Sequence, residues 1–130
     1  MPNAADDLLR AAQRGLAEAA IADAPAQRYA LAHLSALRSA AAILAVRARP
    51  SGGRSRLRSV WSVLPAVAPE LAEWAAFFAT SATKRSAAEA GVPVVSLREA
   101  DDLLRDAETF NAQVCAMLRV HRQQSLPATG

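Results

Sequence analysis

The sequence predicts an all-α protein, an up-and-down bundle of four to five helices. Three observations carry that prediction. Hydrophobic residues make up 52% of the chain, and alanine, the strongest helix former, supplies much of that share, while aromatics reach only 5%. The longest β-like run, Val92-Pro93-Val94-Val95, is too short to build a sheet. Apolar residues instead recur at helical spacing along long segments joined by short connections, the pattern of antiparallel helices. A chain of 130 residues fits one domain with a sizeable core. That domain is expected over 1–122, with a flexible basic loop at 49–58 and a disordered tail at 123–130.

The first helix is expected from about Ala4 to Ala22. Asn3 is placed to cap it, and Asp6 and Asp7 put negative charge in its first turn, where the helix dipole favours it. Leu9, Ala12, Leu16, Ala19 and Ala20 form its apolar stripe. Pro25 suits the first position of a second helix, which reaches about Arg47. Leu34, Leu37, Ala41 and Leu44 share one face of it, but Leu31, Ile43 and Val46 fall elsewhere around the circumference. A helix apolar nearly all round belongs at the centre of a bundle or beneath a partner chain, so a homodimer is expected.

Pro50-Ser51-Gly52-Gly53 breaks that helix. Ser59 to Leu64 reads as a short helix carrying Trp61 and ended by Pro65. Pro69 then opens a third long helix that Gly91 closes. Leu71, Trp74, Ala75 and Phe78 line one face of it and Phe77 widens that face, as core anchors rather than a ligand box. Ser96-Leu97-Arg98-Glu99 is a capping box, and the helix it starts runs to about Arg122. Its stripe is Leu97, Ala100, Leu103, Leu104, Ala107, Phe110, Val114 and Leu118. Glu99, Asp101 and Asp102 at its start and Arg119 and Arg122 at its end agree with the dipole.

Net charge is +3, and the positive charge is nearly all arginine, since Lys84 is the only lysine. A GC-rich genome gives the same bias, so charge alone does not name a partner. Its distribution says more. Arg47, Arg49, Arg54, Arg56 and Arg58 crowd the segment after the second helix with no acidic residue among them. That run is either a solvated linker or a phosphate-binding loop for RNA or a nucleotide, with Arg49, Arg54, Arg56 and Arg58 as the contacts. No aromatic lies within it, so base stacking has no support.

Cys115 is the only cysteine, which excludes an intrachain disulfide and a cysteine-based zinc site. The start of the chain, MPNAADDLLR, has no secretory character, and no apolar segment is expected to reach the roughly 18 residues of a membrane span. A cytoplasmic protein without membrane contact follows as an expectation. Asp101, Asp102, Asp106 and Glu108 read as a solvated face rather than a cation site, and no metal or cofactor is expected. The tail Leu126-Pro127-Ala128-Thr129-Gly130 looks like a sortase pentapeptide, but chance or an engineered end explains it better than surface anchoring.

Three tracts, QRYALAHLSALRSAAAILAVRARP, VWSVLPAVAPELAEWAAFFA and VSLREADDLLRDAETFNAQV, together resemble a small actinobacterial, SAV-type branch of the HEPN superfamily. The resemblance spans roughly residues 20 to 120, and APELAEWAAFF is its most distinctive part. It implies a bundle that usually dimerises. Many HEPN domains are ribonucleases, whereas others have lost catalysis and bind nucleotides or partner proteins. The active members carry an arginine followed, after four to six residues, by a histidine, and dimerisation brings two such motifs together.

One match to that motif exists here, from Arg28 to His33. Metal-independent RNA cleavage needs a base to take the 2′-OH proton, which histidine can do near neutral pH. Arginine would offset the charge growing on the phosphorane. Five residues along a regular helix set the two side chains about 140° apart, however, so one phosphate could meet both only across a two-fold or through a distorted first turn. Tyr29 also stands where active members commonly hold a polar residue. The preferred reading is a HEPN-like binding or regulatory module. A metal-independent endoribonuclease using Arg28 and His33 is the alternative, and a purely structural protein-interaction bundle the third.

Overall fold

The computed structural model describes residues 3–47 and 59–125. Among them lie five α-helices and one 3-10 turn, without a strand. The order is α1 (Ala4–Ile21), α2 (Pro25–Arg47), α3 (Val60–Val67), the turn Pro69–Leu71, α4 (Ala72–Glu89) and α5 (Leu97–Ser125). The basic loop beyond Arg47 and the last residues, 126–130, lie outside the described residues.

Side-chain caps start α1, α3 and α5. The Asn3 side chain accepts the Asp6 N–H at 2.9 Å. At α5 the capping box is complete: the Glu99 N–H donates to Ser96 Oγ, and the Ser96 N–H donates to Glu99 Oε1, each at 3.1 Å. At the end of α4, Gly91 takes φ +83°, the left-handed conformation that glycine adopts without a Cβ clash. The Gly91 N–H then bonds the Ala88 carbonyl at 3.1 Å and the Val92 N–H bonds that of Ala87 at 3.0 Å, a Schellman closure.

Helix α2 is the hub, packing against α1, α3, α4 and α5. Its deepest face differs from the expected one. Ala32, Ser35, Ala36, Ser39, Ala40, Ala42 and Ile43 are buried, while Leu34, Leu37, Ala41 and Leu44 are half-buried. Small side chains go inward because neighbouring helices come close to the α2 backbone. Gly15 on α1 would place a Cβ only 2.2 Å from Ser35 Oγ, which leaves no room for a leucine there. The stripe on α1 shifts for the same reason: Gly15 is buried, whereas Ala20 is exposed. By length and composition α2 is long and apolar enough to cross a membrane, contrary to expectation; half of that apolar window is buried inside the bundle.

Two further boundaries depart from the reading of the sequence. Pro65 does not end α3 but sits within it, and the helix continues to Val67. A proline forfeits one intrahelical hydrogen bond. The Ala68 N–H still closes the helix on the Leu64 carbonyl at 2.8 Å. Helix α5 continues to Ser125, so the first three residues of the expected tail are helical. Leu97, at its first position, is 54% exposed because the buried stripe begins only at Ala100.

Aromatic rings fill the space between α3, α4 and α5. Phe78 lies at their centre, with Trp61 stacked at 5.0 Å, Trp74 stacked at 5.7 Å and Phe110 at 5.2 Å. Fully burying a phenylalanine stabilises a fold by roughly 1.5–3 kcal/mol, so this cluster is a main source of cohesion.

Candidate functional site

Arg28 and His33, the candidate catalytic pair, both hold the bundle together. Arg28 lies one turn into α2, just after the tight connection from α1. Its Nε donates to the Ala19 carbonyl at 3.0 Å and its Nη2 to that of Ala22 at 2.7 Å. These groups belong to the end of α1, whose last turn has no basic residue of its own. The third donor, Nη1, meets Asp101 Oδ1 at 2.5 Å in the first turns of α5. One planar guanidinium thus fastens three helices, with only 18% of the side chain exposed.

His33 is 1% exposed. Its ring meets Trp61 and Phe78 edge-on, both at 5.9 Å. Nε2 lies 2.8 Å from the Phe78 carbonyl, which can only accept, so Nε2 carries the proton and donates it. Nδ1 has no partner among the described residues. Burial lowers the pKa of the ring, the Phe78 carbonyl opposes that shift, and the Arg85 charge adds to the lowering. The ring is therefore neutral near pH 7. A general base could use the bare Nδ1, but it is sealed inside the bundle.

The two residues do not share a site within the chain. Arg28 is held at the junction of α1 and α5, and His33 is held within the aromatic cluster against α4. Of the basic run, Arg47 is paired with Glu70 through Nη1, 3.1 Å from each carboxylate oxygen. Arg49, Arg54, Arg56 and Arg58 lie outside the described residues. Among the described residues no three His, Cys, Asp or Glu side chains gather as a metal site. Asp101, from the acidic set on α5, is engaged by Arg28.

Two features escaped the sequence reading. A polar chain runs from the surface into the core: Gln13 Nε2 to Cys115 Sγ at 3.7 Å, Cys115 Sγ to Asn111 Oδ1 at 3.7 Å, and Asn111 Nδ2 to Ser39 Oγ at 2.9 Å. The Ser39 hydroxyl donates onward to the Ser35 carbonyl at 3.0 Å. Asn111, standing amid the apolar stripe of α5, was the available signal. The second feature is a shallow apolar groove of about 580 Å³ between the start of α2 and the end of α4, lined by Gln27, Ala30, Leu31, Leu34, Ala88 and Glu89 among others. Half-buried leucines on a helix apolar all round were its sequence signal.

The model of the SAV_6107-like HEPN family matches residues 19–115, about three quarters of the chain. This chain belongs to the HEPN superfamily. The match runs from the last turn of α1 through most of α5, and so includes Arg28, His33 and the aromatic cluster of this HEPN domain. No curated protein and no solved structure matches the chain.

Proposed function

We propose that this HEPN domain is a binding or regulatory module rather than a ribonuclease, dimeric through the α2–α4 groove and contacting RNA through the arginines of segment 49–58. The structural engagement of Arg28 and His33 carries the non-catalytic part of this reading. Freeing the pair for a phosphate would break three donor contacts of one residue and unseal the other from the core. Leu31 and Leu34, half-exposed beside the groove, support the dimer, because a second copy would bury apolar surface that a monomer leaves in water. The density of arginine between Arg47 and Arg58, on a chain of net charge +3, supports the anionic partner.

The test is binding of a short single-stranded RNA at low salt, with sedimentation used to measure mass. The expected result is a dimer that binds RNA without cleaving it. Arg54, Arg56 and Arg58 changed together to Ala should weaken binding and lower the slope of log affinity against log salt by about two. Absence of binding at low salt would overturn the RNA assignment in favour of a protein-interaction bundle. Cleavage that survives chelator and vanishes in a folded His33→Ala variant would establish the ribonuclease alternative.

A further inference from the structure

On the face formed by α4 and α5, away from Arg28 and His33, lies a concave surface of about 440 Å³ lined by Glu70, Glu73, Trp74, Phe77, Asp106 and Gln113. On α4 and the turn before it, positions 70, 73, 74 and 77 share one helical face. On α5, positions 106 and 113 stand two turns apart on the face opposite. The Trp74 indole Nε1 donates to Gln113 Oε1 at 3.0 Å, which ties the helices together and fixes the ring that forms the floor. Phe77 stands beside it, its ring edge-on to Trp74 at 6.2 Å, and is 40% exposed, unlike the buried Phe78 and Phe110.

Charge sets this hollow apart from the rest of a basic protein. Three carboxylates, spread along its walls, line it beside two aromatic rings. Glu70 is answered by Arg47, but among the described residues neither Glu73 nor Asp106 has an ion-pair partner. Glu73, in the first turn of α4, has a structural reason to be acidic, since negative charge there suits the helix dipole. Asp106 has no such reason, because it lies more than two turns inside α5. Partial burial and the nearby Asp102 hold its carboxyl above the usual range, and the Arg105 charge offsets them only in part. Aromatic faces and unpaired carboxylates attract the same kind of ligand, a flat or rounded organic cation.

We propose that this hollow is a docking site for an arginine side chain presented by a partner polypeptide. The guanidinium would lie over the Trp74 and Phe77 rings and pair with Glu73 and Asp106, with the peptide backbone running across the open rim. Arginine fits better than lysine because its planar cation can stack on the rings while its fork of donors serves a carboxylate. The structure already holds one guanidinium at the margin of the hollow, that of Arg47 on Glu70.

The experiment is a titration of the full chain with acetyl-Gly-Arg-Arg-Gly-amide, followed by the indole N–H resonances. The expected result is a saturable shift of the Trp74 resonance while that of buried Trp61 stays in place. The combined variant Glu73→Gln, Asp106→Asn should bind about threefold or more weakly, and Phe77→Ala should do the same, both with unchanged melting. Arg54→Ala, Arg56→Ala and Arg58→Ala should leave this titration unchanged, which separates the hollow from the RNA contact. No saturable shift, or equal shifts in wild type and both variants, would overturn the proposal. Tighter binding of spermidine than of the peptide would replace the polypeptide partner with a free polyamine.

Discussion

Gly15 on α1 and Ser35 on α2 approach so closely that a Cβ on the glycine would sit 2.2 Å from the serine hydroxyl and 3.6 Å from the serine Cβ. That hydroxyl is buried and has no hydrogen-bond partner among the described residues. The contact therefore sets steric exclusion at position 15 against an unsatisfied polar atom at position 35. Gly15→Ala alone forces the hydroxyl to turn within a packed interface and should destabilise the fold by about 1–2 kcal/mol. Ser35→Ala removes a buried group that gains nothing from its site and should be neutral or slightly stabilising. With both changes the nearest approach becomes ordinary van der Waals contact, and alanine's better helix propensity adds up to about 1 kcal/mol. Urea unfolding of all four proteins checks this. The double variant is expected to equal or exceed wild type, and an additive loss would refute the steric account.

Arg28 makes a second, independent prediction. Its guanidinium satisfies two carbonyls at the end of α1 and pairs with Asp101 on α5. Arg28→Ala should lower stability by about 2–3 kcal/mol, since charge-assisted bonds contribute more than neutral ones and the α1 carbonyls lose their donors. Arg28→Lys should recover less than half of that loss, because one ammonium cannot span the three acceptors. Asp101→Asn should cost less than Arg28→Ala, since it leaves both α1 contacts in place. Denaturant midpoints order these variants directly, and full recovery by lysine would contradict the forked geometry.

Much of this architecture was legible along the chain, for physical reasons that differ from residue to residue. Asn3, Pro25, Gly91 and the Ser96–Glu99 box act through their immediate neighbours, so short-range chemistry placed the helix ends to within a few residues. The inward face of α2 was not legible in the same way. Hydrophobicity selects Leu34, Leu37 and Leu44, but interhelical distance selects Ser35, Ala36 and Ser39, and that distance depends on Gly15 in another helix. The same limit applies to the candidate site. A five-residue separation on a helix identified Arg28 and His33 as a poor pair, yet Asp101 and Phe78, which engage them, are remote in sequence. The hollow at Trp74 joins residues from two helices, so neither helix alone discloses it.

His33 fixes the last prediction, the response of the fold to mild acid. Its pKa in the folded chain lies below the unfolded value of 6.5, first because the ring is buried, with the Arg85 charge acting in the same direction. The unfolded chain therefore takes up the proton more readily than the folded chain does. By linkage, the contribution of His33 to stability is fully present above about pH 6.5 and is lost as pH falls below that value through the folded pKa. Protonation is poorly met inside the bundle: Nδ1–H would be a buried donor without a hydrogen-bond partner among the described residues, and the Glu89 charge, which favours the protonated ring, is outweighed by burial. His33→Gln is the informative comparison, since its amide can still donate to the Phe78 carbonyl but does not titrate. Unfolding curves for both proteins from pH 7.5 down to pH 5 should show wild type losing stability relative to the variant as the pH drops. Their difference cancels every carboxylate and every other titrating group the two share. Parallel curves across that range would mean that His33 is accessible to protons in the folded chain at no energetic cost, contrary to its sealed position.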